Sequence, residues 1–146
     1  MQFPVIDQVG FVVEDVQRAM VDYAPLFGEF TLWEPTLIRG ADYRGEAADC
    51  TLHIAVAHSG ATEIELIQWL DGGSPHGEAA RSGRFGMHHV RYRIDDMDEA
   101  LAGAAALGYQ PIWYKEWDAT TRFAYLERER DPLIIEFLQM PQAGPG

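Results

Sequence analysis

The sequence predicts an α+β fold: two tandem βαβββ modules whose curved sheets lie side by side and enclose a cavity. Two repeats and one packing argument predict it. The stretch GMHHVRYRIDD at 86–96 has a near-copy, IDQVGFVVED, at 6–15; aligned, His89 falls on Gln8, Val90 on Val9, Tyr92 on Phe11, Ile94 on Val13 and Asp96 on Asp15. A second pair repeats in the same order, with EIELIQ at 63–68 and LIIEFLQ at 133–139 placing Glu65 on Glu136. Each module then reads as strand, helix and three strands. Such a sheet with one helix covers only one of its faces, so each module needs the other.

The elements follow from periodicity and punctuation. In the strand at 5–13, Val9, Phe11 and Val13 share one face and Gln8, Gly10 and Val12 the other. Asp15 caps a helix at 16–27, which Gly28 ends and Pro25 disturbs near its last turn. A strand is expected at 30–38, with Pro35 marking an edge or interruption, and 39–48 reads as a loop. Strands at 49–57 and 62–70 flank a turn, and 71–84, rich in Gly, Ser and charge, is the linker between modules. The pattern restarts with a strand at 87–94. Asp96 and Glu99, three residues apart, form a capping-box spacing before a helix at 97–107 that Gly108 ends. Strands at 110–117, 122–129 and 133–140 complete the second module, and 141–146 reads as a disordered tail. The chain is thus one domain: module one at about 5–70, linker 71–84, module two at about 85–140 and the tail.

Composition bounds the rest. A chain of 146 residues that is 47% hydrophobic can bury a core. Its apolar runs are shorter than the roughly 20 residues of a membrane-spanning helix, and its start lacks the basic-then-apolar pattern of a secretory leader, so a cytoplasmic location is expected. The formal net charge of -12 opposes binding to nucleic acid. Cys50, the sole cysteine, excludes an internal disulfide and reads as a small buried strand residue.

Each module offers one polar residue on its first strand and one carboxylate on its last. Gln8, Glu65, His89 and Glu136 are therefore candidate metal ligands. Glu65 lies with Ile67 and Trp69 on one side of its strand, and Glu136 with Ile134 and Leu138. A carboxylate between apolar neighbours must be paired, protonated or bound to a cation. His88 precedes the proposed ligand and reads as pointing to the opposite face, a packed or hydrogen-bonded histidine behind the site. His53, opposite Leu52, Ile54 and Val56, is a candidate substrate contact looking into the cavity. Arg91 and Arg93 fall on the side of His89 and are candidate substrate-binding residues; their counter-charge is Glu65, Glu136, an anionic substrate or an internal salt bridge. His58 and His76 lie in turn and linker sequence and are assigned no chemistry. The four tryptophans are core or rim, one or two of them lining a pocket.

The repeated strand-to-helix stretches and the repeated carboxylate strand, taken together over nearly the whole chain, resemble the vicinal oxygen chelate superfamily of glyoxalase I, methylmalonyl-CoA epimerase, extradiol dioxygenases and the fosfomycin and bleomycin resistance proteins. GMHHVRYRIDDMDEALAGAAALGY is most similar in texture to the epimerase branch. The resemblance implies a metal-binding cavity with ligands on the first and last strands of each module, which carries onto Gln8, Glu65, His89 and Glu136. That set is similar to the ligands of one class of glyoxalase I. The epimerases usually have His then Gln at the first two positions, where this chain has Gln8 and Glu65. Glyoxalase I has an Arg for glutathione four residues after its first ligand, where this chain has Val12.

The expected activity is that of a metal-dependent isomerase, epimerase or lyase. It would abstract a proton next to a chelated carbonyl, with Glu136 and then Glu65 as catalytic base. The metal would be Zn, Ni, Co, Mn or Fe(II), the substrate a small molecule with an anionic or acyl group, and a homodimer is implied by resemblance alone. Two rival classes are a metal-free binding or resistance protein and an Fe(II) dioxygenase. The latter is disfavoured by Gln8, since its metal triad calls for two histidines and one carboxylate.

Overall fold

Residues 3–141 are described by a computed structural model of the chain. At its centre β1 (Ile6–Val12) runs antiparallel to β6 (Gly86–Ile94), with Val9 directly opposite Val90. These two positions are repeat-equivalent, so a two-fold relation between the modules passes between them. On either side Gly10 faces His89 and Gln8 faces Arg91, the two versions of one pairing. β1 also pairs in parallel with β5 (Thr62–Gly72), and β6 in parallel with β9 (Ile134–Gln139).

The remaining strands close the sheet on itself. β3 (Thr36–Tyr43) and β4 (Glu46–Ser59) follow β5, while β7 (Gln110–Glu116) and β8 (Arg122–Glu127) precede β9. A short β3–β7 pairing, Asp42 to Tyr114 and Tyr43 to Trp113, joins the far edges. The closing seam is short and joins only the Tyr43 end of β3 to the middle of β7. The two-residue β2 (Thr31–Leu32) adds to the free part of β4.

The strand expected at 30–38 is thus two strands, broken around Pro35, and the expected loop at 39–48 is a hairpin. Arg44 (φ 52°) and Gly45 (φ 92°) both occupy the left-handed region, as a two-residue hairpin turn between twisted strands requires. Gly45 N–H donates to the Asp42 carboxylate across it.

Helices α1 (Val16–Phe27) and α3 (Met97–Ala105) cover the outside of the two modules. α1 buries Val16 and Ala19 against Ala55, Ala57, Ile64 and Leu66, and α3 buries Met97, Ala100 and Ala104 against Ile135 and Phe137. Pro25 remains within α1, whose cap comes one turn on, where Gly28 N–H donates to the Ala24 carbonyl. The inner face carries Leu52, Ile54, Val56, Ile67, Trp113 and Tyr125. Cys50 is buried with them, and burial pushes its thiol up to about 11.

The expected linker holds a third helix, α2 (Pro75–Arg81), with Ser74 as N-cap and Pro75 in the first turn. Among the described residues no helix is long and apolar enough to cross a membrane. Of the tail expected at 141–146, all but Pro141 lies outside the described residues.

The second repeat also explains its glutamines. Gln68 Oε1 accepts from Val16 N at 2.9 Å, and Gln139 Oε1 from Met97 N at 2.7 Å. Each module's last strand therefore caps its own helix, beyond the caps of Asp15 and Asp96. Gln68→Leu and Gln139→Leu should each cost about 1 kcal/mol, and the losses should add in the double variant because the two caps share no partner. Chemical denaturation of the three variants checks this.

Candidate metal centre

Period-two alternation sends Gln8, Gly10 and Val12 of β1 inward, with Glu65 and Ile67 of β5, His89 of β6, and Ile134 and Glu136 of β9. The structure brings all four sequence-predicted ligands together. His89 Nε2 stands 3.3 Å from Gln8 Oε1, 3.4 Å from Glu65 Oε1 and 3.4 Å from Glu136 Oε1. His89 is fully buried and Gln8 nearly so, whereas the side chains of Glu65 and Glu136 keep 12% and 10% exposure. The open side of the cluster is therefore the carboxylate side.

Gly10 makes the seat for the imidazole. A Cβ on Gly10 would stand 2.1 Å from His89 Cε1 and 2.3 Å from Nε2, inside any permitted contact. The ring occupies the space that a side chain at position 10 would fill.

The orientation of Gln8 is equally determined. Its Nε2 donates to Glu63 Oε1 at 2.6 Å, and a carboxylate there can only accept, so its amide oxygen is the end turned to His89. Gln8 thus contributes an acceptor, as do the two carboxylates. Glu65 Oε1 is buried and without a hydrogen-bond partner. Three oxygens and an imidazole nitrogen converge, with one hydroxyl nearby, that of Tyr125, 3.4 Å from His89 Nε2. Such a set suits a divalent cation of the Zn, Ni, Co, Mn or Fe(II) type. The orphaned Glu65 oxygen is what such an ion would satisfy.

In the ion-free protein a proton takes up part of that role. Burial holds the Glu136 carboxyl up at about 7; the His89 ring opposes this, while Glu65 reinforces it and Arg91 also opposes it. Tyr125, fully enclosed, is pushed well above the usual phenol range by burial and by Glu136 and Glu65.

Behind the quartet lies a set of neutral rings. His88 Nδ1 stands 3.0 Å from His89 Nδ1, and His76 Nε2 stands 3.0 Å from the Tyr125 hydroxyl. His76 Nδ1 meets the Ser74 hydroxyl at 3.2 Å. Burial depresses His76 strongly and His88 to about 3, so neither carries charge at neutral pH. The three histidines lie close enough to form a candidate metal-binding group of their own. Both His76 nitrogens already meet partners, Ser74 and Tyr125, and the Nδ1 atoms of His88 and His89 meet each other.

His76 was assigned no chemistry because its segment reads as linker; α2 carries it inside, and the Ser74–Pro75 pair that starts the helix was the available signal. His88 does not point away as alternation requires. The register passes from Gly10↔His89 to Phe11↔Met87, so His88 is an extra residue in β6, and this bulge turns its ring onto His89.

The remaining candidates separate. His53 pairs with Gln68 and shares its face with Ala55 and Ala57, under α1; the cavity face of β4 is that of Leu52, Ile54 and Val56, opposite Trp69, Ile67 and Glu65. His53 is therefore not brought to the site: the apolar residues taken as the covered back of the strand are the lining of the interior. Arg91 is inside, held by Asp7 through two bonds of 2.9 and 3.2 Å, with Glu63 3.9 Å away. Of the alternatives, the internal salt bridge is the one formed. Arg93 is exposed and donates to the Pro141 carbonyl. Trp113 is buried beside Tyr125, whereas Trp33 and Trp117 are exposed.

A groove of about 1070 Å³ is lined by His88, Met87 and Ile134 with charged residues such as Arg84 and Arg128, and by none of the four candidate ligands. The quartet lies a layer deeper than the groove, with His88 between them.

A sequence model of the family described as "Glyoxalase/Bleomycin resistance protein/Dioxygenase superfamily" matches residues 7–125. No curated protein matches the sequence. Similar solved structures include a hypothetical protein of Bacillus halodurans C-125, at 18% identity and TM-score 0.69, covering 97% of this chain and 98% of that one. The methylmalonyl-CoA epimerase of Mycobacterium tuberculosis is similar at 18% identity and TM-score 0.67, over 95% of this chain and 89% of that one. A substituted Streptomyces coelicolor methylmalonyl-CoA epimerase, in complex with 2-nitronate-propionyl-CoA, is similar at 15% identity and TM-score 0.67, over 99% and 100%. At these identities the likeness is one of fold.

Two outcomes follow from the seat and from the proton. Gly10→Ala should lower bound Co(II) at least tenfold while the purified protein still melts cooperatively, because only the His89 ring must move. For pH, Glu136 is raised above its ordinary 4.5 to about 7. Through this group the ion-free fold binds a proton more tightly than the unfolded chain, so its stability falls as pH rises from 4.5 to 7. A metal must displace that proton. Its apparent affinity should fall roughly tenfold per pH unit below 7 and level off above, as read by competition titration.

Proposed function

The chain belongs to the glyoxalase/bleomycin resistance/dioxygenase superfamily, and from that premise we propose that it is a metal-dependent isomerase, epimerase or lyase that moves a proton on a carbon next to a carbonyl. The observation that carries the proposal is the convergence of Gln8, Glu65, His89 and Glu136 on one point, with a buried carboxylate oxygen left unpartnered. The ion that these four would hold supplies Lewis acidity, which polarises a carbonyl and makes the adjacent C–H acidic.

The protein's own groups do the rest. Glu136 accepts the proton as the C–H bond breaks and its electron pair moves toward the carbonyl oxygen. Glu136 then gives that proton to the neighbouring carbon, which completes an isomerisation, or Glu65, entering the step protonated, delivers its own proton to the other face of the carbon, which completes an epimerisation while the first proton stays on Glu136. Tyr125, its hydroxyl close to His89 and its strand position opposite Glu136, flanks the base. Arg91, fixed by Asp7, offsets the negative charge of Glu136 from the neighbouring strand position. The surrounding Ile54, Ile67, Trp113 and Ile134 exclude water.

For the substrate we propose a small carbonyl compound with an acidic α-hydrogen, an acyl thioester among them. The similar Streptomyces coelicolor epimerase, solved with 2-nitronate-propionyl-CoA, supports that class.

The test is solvent hydrogen exchange. Metal-loaded protein incubated in D₂O with a panel of acyl thioesters and α-hydroxyketones should wash deuterium into the α-position of at least one. Glu136→Gln should slow that exchange by about 10²–10⁴-fold, since an amide cannot accept the proton. A compound that binds the metal-loaded protein tightly through its carbonyl, yet takes up no deuterium, would instead identify a binding protein.

A further inference from the structure

We propose that Glu63 is a positioning residue that keeps the Gln8 amide from turning over, so that Gln8 presents its oxygen, and not its NH₂, to the quartet. The proposal deepens the reading of the quartet as a cation site and rests on it.

An amide differs from an imidazole or a carboxylate in having one end fit for a cation. Its oxygen has lone pairs; its nitrogen carries two N–H groups and has no lone pair to give. A half-turn about the last side-chain bond exchanges the two with almost no change of shape. In Gln8 that exchange would set an NH₂ where the oxygen now lies, 3.3 Å from His89 Nε2. The carboxylate oxygens of Glu65 and Glu136, each 3.4 Å from the same nitrogen, would draw it there, and Glu65 Oε1 is without any other partner. Left to itself, the ion-free quartet would satisfy its acceptors with the wrong end of the amide.

Glu63 opposes this from the next strand. It lies beside Gln8 in the β1–β5 register and accepts from Gln8 Nε2 at 2.6 Å. A turned amide would bring its oxygen against that carboxylate, acceptor to acceptor. Glu63 is itself held, with His58 Nε2 3.6 Å from one of its oxygens and Arg91 Nη1 3.9 Å from the other. The amide oxygen so fixed can accept a proton from His89 Nε2 while no ion is bound, and can offer the same lone pairs to an ion once that proton has left.

The repeat sets a carboxylate beside the amide alone. Gln8 and Glu63 correspond to His89 and Ile134, which lie beside each other in the β6–β9 register just as Gln8 and Glu63 do in theirs. The module whose ligand is a ring has an apolar neighbour at that place. The module whose ligand is an amide, with one right and one wrong end, has the group that chooses between them.

Two measurements on the intact protein test this. In the ion-free wild type, nuclear Overhauser contacts of the Gln8 NH₂ protons should run to the Glu63 side chain and not to the His89 ring. In Glu63→Leu they should run to the ring. The second measurement is Co(II) titration. Glu63→Leu should weaken binding ten- to hundredfold. Gln8→Leu should weaken it too, and adding Glu63→Leu should then cost nothing more, since no amide is left to orient. Should Glu63→Leu fail to fold, Glu63→Met, closer in shape, takes its place. Contacts from the wild-type NH₂ to the His89 ring overturn the proposal, and so does wild-type Co(II) affinity in the Glu63 variant. Losses that add in the double variant overturn it as well, because Glu63 then acts on the ion through its charge and not through Gln8. A wild type that shows the expected contacts but binds no Co(II), Zn(II) or Mn(II) upholds the role of Glu63 and overturns the cation reading of the quartet, so the two failures are distinguishable.

Discussion

Lone pairs that face one another in a protein interior repel unless positive charge stands between them, and the fold of this chain drives several to a single point. Gln8, Glu65 and Glu136 turn oxygens toward His89 Nε2 from three different strands. None can turn away cheaply. Gln8 is held by Glu63, His89 is set in the space over Gly10, and both carboxylates sit among apolar side chains on closed-sheet strands. Removing several polar groups from water is tolerated only when their charge is compensated. A proton on Glu136 or a cation among the four are two answers to one electrostatic demand, and they compete for the same place.

Duplication explains how so short a chain builds such a centre. A two-fold relation between modules places equivalent positions on opposite sides of one interior, so a polar residue on each first strand and a carboxylate on each last strand meet there. Function needs the copies to differ. In one version of the central pairing Gly10 yields its volume to the His89 ring; in the other the equivalent position is Arg91, opposite Gln8. The glycine provides the seat and the arginine the local positive charge. Symmetry brings the ligands together, and these departures give each a separate role.

Much of this could be read from the chain before any coordinates. The repeats bring out the four candidate ligands because side-chain alternation is preserved between a strand and its copy, whatever the intervening loops do. Gln68 and Gln139, as helix caps, repeat for the same reason. The misreadings have local causes. A single extra residue inverts alternation, and the bulge in β6 turns inward a His88 that strict alternation sends outward. His53 was placed by the assumption that the more apolar face of β4 was the one under the helix. In a closed sheet both faces are covered, and the interior here is the more apolar of the two. Short local elements also escaped: the hairpin turn at Arg44 and Gly45, and a seven-residue helix within a stretch whose Gly and Ser content reads as linker.

That linker helix changes what the connection between modules does. α2 brings His76 to the Tyr125 hydroxyl and beside the His88 ring, so it reaches the quartet through the rings behind it. Its own position is held at Glu78, which accepts from the Tyr43 hydroxyl and from Arg44 at 2.9 Å through both Nε and Nη2. Arg44 also grips Glu127 of module two through two bonds of 2.8 and 3.0 Å. One side chain in the first module's hairpin therefore ties together α2 and the second module. Arg44 is partly exposed, and a single ion pair there would contribute little; the forked geometry and the paired carboxylates make it a network with a defined shape. The connection that duplication needs merely to join two copies thus also supports the quartet, through the His76–Tyr125 bond.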